Sequence, residues 1–145
     1  EIMSRYGIAT PKWRVAKTIS EAEHAYSSIS ASSGSKKDVV IKAQVVSCGR
    51  GLGTFDSGFK GGVHMITKDR DQAYEIAGEM LGSKLITKQA PRGLPCNAVL
   101  LVERFFFRRE MYLSIFIDSS SQMPVMVGSP FGGTSIGDNT ASNPG

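Results

Sequence analysis

One glycine-rich segment between two apolar runs constrains this fold more than any other part of the chain. The first run, residues 38–46, has the pattern of a strand and contains one lysine, Lys42. The second run is residues 63–66, and residues 47–62 between them are rich in glycine. This arrangement predicts a β-hairpin with the glycines at its tip. Because glycine loses more backbone entropy on ordering than any other residue, so many in one loop need an explanation.

Two explanations fit these glycines. In the first, backbone N–H groups close over phosphate, helped by Lys42, Arg50 and Lys60. In the second, the glycines form a long mobile hairpin tip. The basic residues on both sides favour phosphate. Two common phosphate loops are excluded, because the segment lacks G-x-x-x-x-G-K-[ST] and Thr54 replaces the last glycine of G-x-G-x-x-G. The loop also leads into a strand and not into a helix.

Composition bounds the class of protein. A length of 145 residues suits one ordinary domain or two small subdomains, and 41% hydrophobic with 21% charged residues is typical of a globular protein. No apolar run approaches the ~20 residues of a membrane helix. The net charge is +4, but the lysines and arginines are scattered along the sequence, so we predict no nucleic-acid partner. Cys48 and Cys96 lack metal-ligand spacing, and we predict no metal site and two free thiols. Neither end resembles a natural terminus, so we expect the chain to be a piece of a longer one.

Periodicity predicts a mixed α+β fold with largely antiparallel sheets. A capping box, Ser20 with Glu23, predicts a helix over residues 20–29. Helical spacing of apolar residues predicts a second helix over residues 69–81. Residues 1–6 are interpreted as the end of a further helix, stopped at Gly7. Besides the two runs of the hairpin, the predicted strands are residues 13–16, 84–87, 99–103, 111–118 and 123–128.

Three features along the chain are candidate site residues, and each also has a structural explanation. Lys42 either points to solvent from its strand or reaches phosphate as a point charge. Glu103 ends an apolar strand and Glu110 begins the next, so both are either solvated or bind ribose or an exocyclic amine. The segment 104–109, three phenylalanines among three arginines, is either hinge packing or an adenine slot. His24 and His64 are assigned to structure.

A series of short motifs extends over most of the chain in one order. They include Tyr6-Gly7-Ile8 with Pro11, Asp38 to Val45, Gly49-Arg50-Gly51, Gly53-Thr54-Phe55, Lys60-Gly61-Gly62-Val63, Thr87-Lys88-Gln89, Val102-Glu103, Arg109-Glu110 and Gly132-Gly133. Together they resemble the ATP-grasp region of the β subunit of succinate–CoA ligase (succinyl-CoA synthetase), ADP-forming type. The resemblance implies an ATP-grasp fold with two lobes of mostly antiparallel sheet and flanking helices. Residues 12–105 would form the small lobe, and residues 1–11 with 106–145 an incomplete second lobe.

The resemblance also implies roles for particular residues. Lys42 would contact the nucleotide phosphates, and Gly49, Arg50 and Gly51 would form the lid over them. Glu103 and Phe106 would meet the base, Glu110 would hold the ribose, and Pro11 would set nucleotide specificity. These seven binding residues and Pro11 are the predicted site, with no catalytic residue among them.

The activity implied is coupling of ATP/ADP phosphoryl transfer to interconversion of succinyl-CoA and succinate in the tricarboxylic acid cycle. The family's phosphohistidine and CoA site belong to a partner α subunit, and its Mg²⁺ ligands are expected outside this segment. This fragment alone would then be inactive. Two alternatives are a truncated, non-catalytic structural subunit derived from an ATP-grasp protein, and a generic ATP-grasp enzyme similar to biotin carboxylase.

Several departures from the family pattern bear on these expectations. Cys48 replaces one glycine of the usual Ala-Gly-Gly-Arg-Gly, the hinge is unusually aromatic, and Gly137-Asp138 stands where an acidic pair is common. The long loop from Gly53 to Lys60 resembles mitochondrial members, so we expect the mitochondrial matrix. Pro11 has no side-chain hydrogen-bonding group, whereas GTP-using members tend to have glutamine there, so ATP/ADP is expected over GTP/GDP.

Overall fold

Antiparallel strands and helices make up the part of the chain that the computed structural model describes, residues 2–31, 38–67 and 69–132. The helices are α1 (Ile2–Arg5), α2 (Ile19–Ala31) and α3 (Arg70–Met80). The strands are β1 (Trp13–Ala16), β2 (Val39–Ala43), β3 (Thr54–Phe55), β4 (Val63–Ile66), β5 (Lys84–Ile86), β6 (Leu94–Pro95), β7 (Val99–Glu103), β8 (Tyr112–Ile117) and β9 (Pro124–Ser129). The predicted α+β class with antiparallel sheets is confirmed.

The main sheet has four strands in the order β1-β7-β2-β4. Every neighbouring pair is antiparallel, and β7 lies between β1 and β2 although it follows them by more than 50 residues in the sequence. The strand predicted to be most apolar is thus at the centre of the sheet. The register places Lys42 opposite Leu100 on one side and Val63 on the other.

One face of this sheet is covered by α2 and α3, which pack on each other and on the strands. Because side chains alternate along a strand, β2 buries Val39, Ile41 and Ala43 against the helices. The helices contribute small and aromatic side chains at helical spacing. The core residues of this layer include Ala16, Ala22, Ala25, Tyr26, Ile29, Ile66, Ala73, Ala77, Met80, Val99 and Leu101.

The glycine-rich segment is more folded than a hairpin tip. β2 and β4 pair as predicted, but β2 ends at Ala43 and not near Val46. Residues 44–62 contain a short 3-10 turn, Arg50–Leu52, and the strand β3. β3 pairs with β5, which pairs with β6, so the loop contributes one strand to a second small sheet.

The start of α2 differs from the prediction by two residues. The Glu21 backbone N–H donates to Thr18 Oγ1 at 3.2 Å, and Glu21 Oε2 accepts from the Lys17 N–H at 2.7 Å. The cap is therefore Thr18 with Glu21, and the predicted pair Ser20 with Glu23 was wrong. By contrast, α3 begins as expected, because the Asp69 side chain accepts from the Gln72 N–H.

The chain divides into two compact units, Glu1–Phe105 and Phe106–Gly145. In the described part of the second unit, β8 and β9 form an antiparallel two-stranded sheet. The division falls after Phe105, where we predicted the small lobe to end. The assignment of residues 1–11 to a second lobe stays a prediction.

Candidate functional site

The sheet face opposite the helices carries an apolar surface with one lysine. Alternation puts Lys42 on this face, and the register aligns it with apolar residues across all four strands. Many of these side chains are partly or well exposed, including Met65 at 46% and Val15 at 48%. The surface, which we call the open face, consists of Trp13, Val15, Val40, Lys42, Val63, Met65, Leu100 and Val102.

Lys42 is half-buried on the open face. Its neighbours across the strands are Leu100 and Val63, so its stem lies among apolar side chains. Within the described residues, its ammonium group has no hydrogen-bond or ion-pair partner. A cation on an apolar surface without an anion beside it is suited to bind an anionic ligand that also has an apolar part.

The 3-10 turn brings Arg50 to the end of β2. It begins after Gly49, whose φ of 68° is the left-handed conformation that glycine adopts without strain. The Arg50 carbonyl accepts from the N–H groups of Gly53 at 3.3 Å and Gly62 at 2.8 Å. The Arg50 guanidinium donates to the carbonyl of Ala43, the residue after Lys42, at 3.4 Å. The turn thus folds back on the ends of β2 and β4.

Three successive backbone N–H groups are available at this turn. Within the described residues, those of Gly49, Arg50 and Gly51 donate to no protein acceptor. Consecutive free N–H groups in a glycine turn form a concavity that binds anions. The predicted lid residues are therefore together at a place where phosphate oxygens could be bound.

Side chains from the turn after β5 contact the loop at Ser47 and Cys48, just before the glycine turn. The Cys48 N–H donates to Gln89 Oε1 at 3.0 Å, and Ser47 Oγ lies 2.8 Å from Thr87 Oγ1. Thr87 is buried. The sequence contained the Thr87-Lys88-Gln89 motif but no indication of its contacts, so this role of Gln89 was missed. These bonds give the glycines a defined place, which a mobile tip would not have.

Glu103 lies at the end of β7 and is 6% exposed. Its Oε2 accepts from the Lys12 N–H at 3.4 Å, while its own N–H donates to the Lys12 carbonyl at 2.8 Å. The next residue, Arg104, forms an ion pair with Asp38 at 2.6 Å. Glu103 is thus bonded to the backbone beside Pro11. Its predicted contact with a nucleotide base stays a prediction.

A cavity of about 520 Å³ adjoins Pro11. Its lining residues come from the start of β1 and the end of α2, and they are Thr10, Pro11, Lys12, Trp13, Arg14, Ser28 and Ile29. Neither Lys42 nor Arg50 lines this cavity. The structure therefore brings Lys42 and the glycine turn together, and it links Pro11 with Glu103 through Lys12.

The remaining predicted site residues belong to the second unit. Phe106 is 80% exposed, and Glu110 is also exposed. The Glu110 carbonyl accepts from the Gly132 N–H at 3.1 Å. Gly132 is required there, since an added Cβ would lie 2.9 Å from the Met111 carbonyl. Glu110 and Gly132, but not Phe106, line a cavity of about 580 Å³. Its other lining residues are Phe107, Arg108, Arg109, Pro130 and Phe131.

Two further expectations concern metals and membranes. Within residues 2–31, 38–67 and 69–132, no group of three or more His, Cys, Asp or Glu side chains could hold a metal ion. In the same ranges, no helix has the length and apolar character needed to cross a membrane. The departure at Gly137-Asp138 lies outside the described residues.

The architecture and the glycine turn define a class of protein. The family model of the ATP-grasp domain matches residues 1–145, and the chain belongs to this family. The expected ATP-grasp fold is thereby confirmed. An ATP-grasp domain implies nucleotide binding.

Within that family, the chain is similar to β subunits of succinate–CoA ligase. It is 46% identical over 145 residues to the ADP-forming mitochondrial subunit of Neurospora crassa and 43% identical to the GDP-forming mitochondrial subunit of Mus musculus. It is 42% identical to an ADP-forming hydrogenosomal subunit of Neocallimastix frontalis. In each case 99% of this chain is covered but only 31–32% of the relative. The chain thus spans about a third of the length of these relatives, and the predicted resemblance is confirmed.

Proposed function

We propose that this chain is the nucleotide-binding portion of a succinate–CoA ligase β subunit, and that it binds ATP and ADP. One observation carries the proposal: Lys42 lies on an open apolar face near the end of β2, where the Arg50 guanidinium donates to the carbonyl of the next residue, Ala43. In the same turn, the N–H groups of Gly49, Arg50 and Gly51 have no protein acceptor among the described residues. The apolar part of that surface suits a purine base, and the cations with the N–H donors suit its phosphates. A nucleotide is a common ligand with both parts.

Lys42 and the Gly49–Gly51 backbone hold the phosphates in this proposal, and Arg50 adds a second cation. The nucleotide, when bound, supplies the phosphoryl group that is transferred. Glu103 and Phe106 contact the base, and Glu110 the ribose. Glu103 also positions the backbone at Lys12, because it accepts that residue's N–H. Desolvation beneath the loop would strengthen each charge-assisted bond.

The complete reaction needs components beyond these residues. We infer an α-subunit partner that provides the phosphorylated histidine and the CoA site, and Mg²⁺ held by ligands outside this segment. The names of the relatives, which are mitochondrial or hydrogenosomal, support the mitochondrial matrix as the location. The activity inferred for the whole protein is ADP-forming succinate–CoA ligation.

The direct test is calorimetry of ADP and ATP binding to the full-length protein and its Lys42→Ala variant. Losing a charge-assisted contact should weaken binding by ~1–3 kcal/mol. Lys17→Ala is the control for loss of a lysine charge, because Lys17 is exposed between β1 and α2 and outside the strands that form the open face. Unchanged affinity in Lys42→Ala would remove Lys42 from the site. No binding by the parent protein would favour the non-catalytic structural subunit.

Thiol labelling offers an independent test. Cys48 is exposed beside the glycine turn, whereas Cys96 is fully buried, and burial raises the pKa of the Cys96 thiol. A maleimide should therefore react with Cys48 first. Saturating ADP should slow that reaction if phosphates occupy the turn. An unchanged rate at saturation would place the nucleotide elsewhere.

The choice of ATP over GTP is tested at Pro11. A guanine would meet no side-chain donor or acceptor from proline, and unpaired polar groups cost ~1–3 kcal/mol. We therefore expect the complete enzyme to use ADP better than GDP as phosphoryl acceptor. Pro11→Gln should narrow that difference. Equal or better use of GDP by the parent would contradict the assignment.

A further inference from the structure

His64, on β4, contacts two parts of the glycine-rich segment with one imidazole ring. Its Nε2 lies 2.8 Å from the Gly61 carbonyl oxygen. The same ring stacks on Phe59, with centroids 4.7 Å apart and planes inclined by 26°. The ring centroid of Phe59 in turn lies 6.0 Å from that of Phe55, which is almost fully buried. His64 therefore links β4 to the segment that contains β3 and to the core beneath it.

Gly61 transmits this contact to the glycine turn. Its φ is +84°, and an added Cβ would lie 3.3 Å from both the His64 ring and the Gly51 carbonyl oxygen. Its N–H donates to the Gly53 carbonyl at 2.8 Å. Gly61 thus lies between the imidazole and the peptides of Gly51 and Gly53, so a shift of Gly61 moves the turn that carries the free N–H groups.

The chemistry of the Gly61 contact requires a donor. A carbonyl oxygen only accepts hydrogen bonds, so Nε2 must carry the proton. An alanine at position 64 would remove both the donor and the stacked ring. A glutamine could restore the donor, because its amide nitrogen extends about as far from the backbone as Nε2 does. The two losses can therefore be separated experimentally.

We propose that His64 is a positioning residue for the glycine turn. It does not touch the ligand. Through Gly61 and Phe59 it holds the turn in which the N–H groups of Gly49, Arg50 and Gly51 have no protein acceptor among the described residues. The proposal deepens the proposed function, since the ligand of these N–H groups is taken to be nucleotide phosphate.

The test uses the full-length protein with His64→Ala, His64→Gln and Phe59→Leu. His24→Ala is the matched control, because His24 is an exposed helix residue that bonds only the Ser20 carbonyl within the described residues. The two readouts are the rate of Cys48 alkylation without nucleotide and the affinity for ADP. Fluorescence of Trp13, the single tryptophan of these 145 residues, reports whether each variant keeps the fold of the first unit, and any tryptophan elsewhere in the full-length protein is replaced by phenylalanine in every variant.

We expect His64→Ala to change the Cys48 rate and weaken ADP binding by about threefold to tenfold, the scale of one lost hydrogen bond. His64→Gln should recover most of both. If His64→Ala does not fold, Phe59→Leu takes its place and should show the loss of stacking. The proposal is overturned if His64→Ala matches His24→Ala in the Cys48 rate, or if His64→Gln recovers nothing. If the parent binds no ADP, the proposed function fails, while the alkylation rates still decide the role of His64.

Discussion

The two units of this chain bury their apolar side chains to very different extents. The first contains a filled interior, where residues as large as Phe55, Met80 and Leu101 are at most 1% exposed. In the second, Leu113, Ile115, Ile117 and Met126 are each 65–70% exposed. Both units contain strands in antiparallel backbone pairing, so the presence of paired strands does not distinguish them. The comparison teaches that, within residues 106–132, β8 and β9 form a ladder whose large apolar side chains are mostly exposed, and an isolated two-stranded sheet is marginally stable in water.

The same difference applies to the candidate site residues. Those of the first unit are held by contacts, since the Arg50 carbonyl accepts from two glycines and Glu103 is bonded to Lys12. Those of the second unit, Phe106 and Glu110, have exposed side chains. The phosphate-binding end of the proposed site is therefore built by the first unit, whose core fixes its geometry.

The largest expected effect comes from matched truncations in the two units. Leu101→Ala removes a fully buried side chain and should lower the free energy of unfolding by ~2–5 kcal/mol. Ile115→Ala removes an exposed one and should change it by less than ~0.5 kcal/mol. Urea unfolding followed by Trp13 fluorescence measures the first unit. Equal losses from the two truncations would show that Ile115 is covered in solution, and the two units would then not differ in burial.

A second, smaller effect is expected within the glycine-rich segment. An added Cβ at Gly62 would lie 2.8 Å from the Arg50 carbonyl oxygen, so Gly62→Ala should cost ~1–3 kcal/mol and weaken ADP binding. At Gly58 the space is open and only the φ of +92° opposes alanine, so Gly58→Ala should cost ~1 kcal/mol and leave ADP binding unchanged. The same urea titration and calorimetry measure both. Similar ADP affinities for the two variants would mean that the packing around Arg50 does not govern binding.

The smallest effect concerns acid and the turn between β8 and β9. Hydrogen bonds from the Ser120 hydroxyl and from the Ser121 N–H and hydroxyl lower the pKa of Asp118 to about 2 from an ordinary value of 3.8. A carboxyl with a lowered folded-state pKa stabilises above its ordinary pKa, and that contribution is lost as pH falls through about 2. Carboxyl NMR titration should show the low value, and Asp118→Asn should abolish this pH dependence of the turn. A titration at the ordinary value would mean that these bonds do not persist in solution.

Local patterns in the sequence determined the elements whose signals lie within a few residues. A continuous apolar run predicted β7 at residues 99–103, and helical spacing of apolar residues from Asp69 predicted α3. They also indicated a lysine within an apolar strand followed by glycines, which is why Lys42 and Arg50 could be named. Local pattern did not decide between two possible capping boxes at the start of α2. Thr18 with Glu21 and Ser20 with Glu23 both fit a capping box, and the start of α2 after β1 selected the first pair.

Contacts between distant residues decided the rest, because only the folded chain brings the partners together. The Ala43 N–H donates to the Gly62 carbonyl and the Gln44 N–H to the Ala98 carbonyl, and these bonds join the end of β2 to distant parts of the sequence. The pairing of β7 between β1 and β2 put Lys42 on the open face. His64, which the sequence assigned to structure alone, meets Gly61 and Phe59 only after the loop has folded back. The pattern of a strand tells which of its residues share a face, and the register with its neighbours decides which other side chains lie beside them.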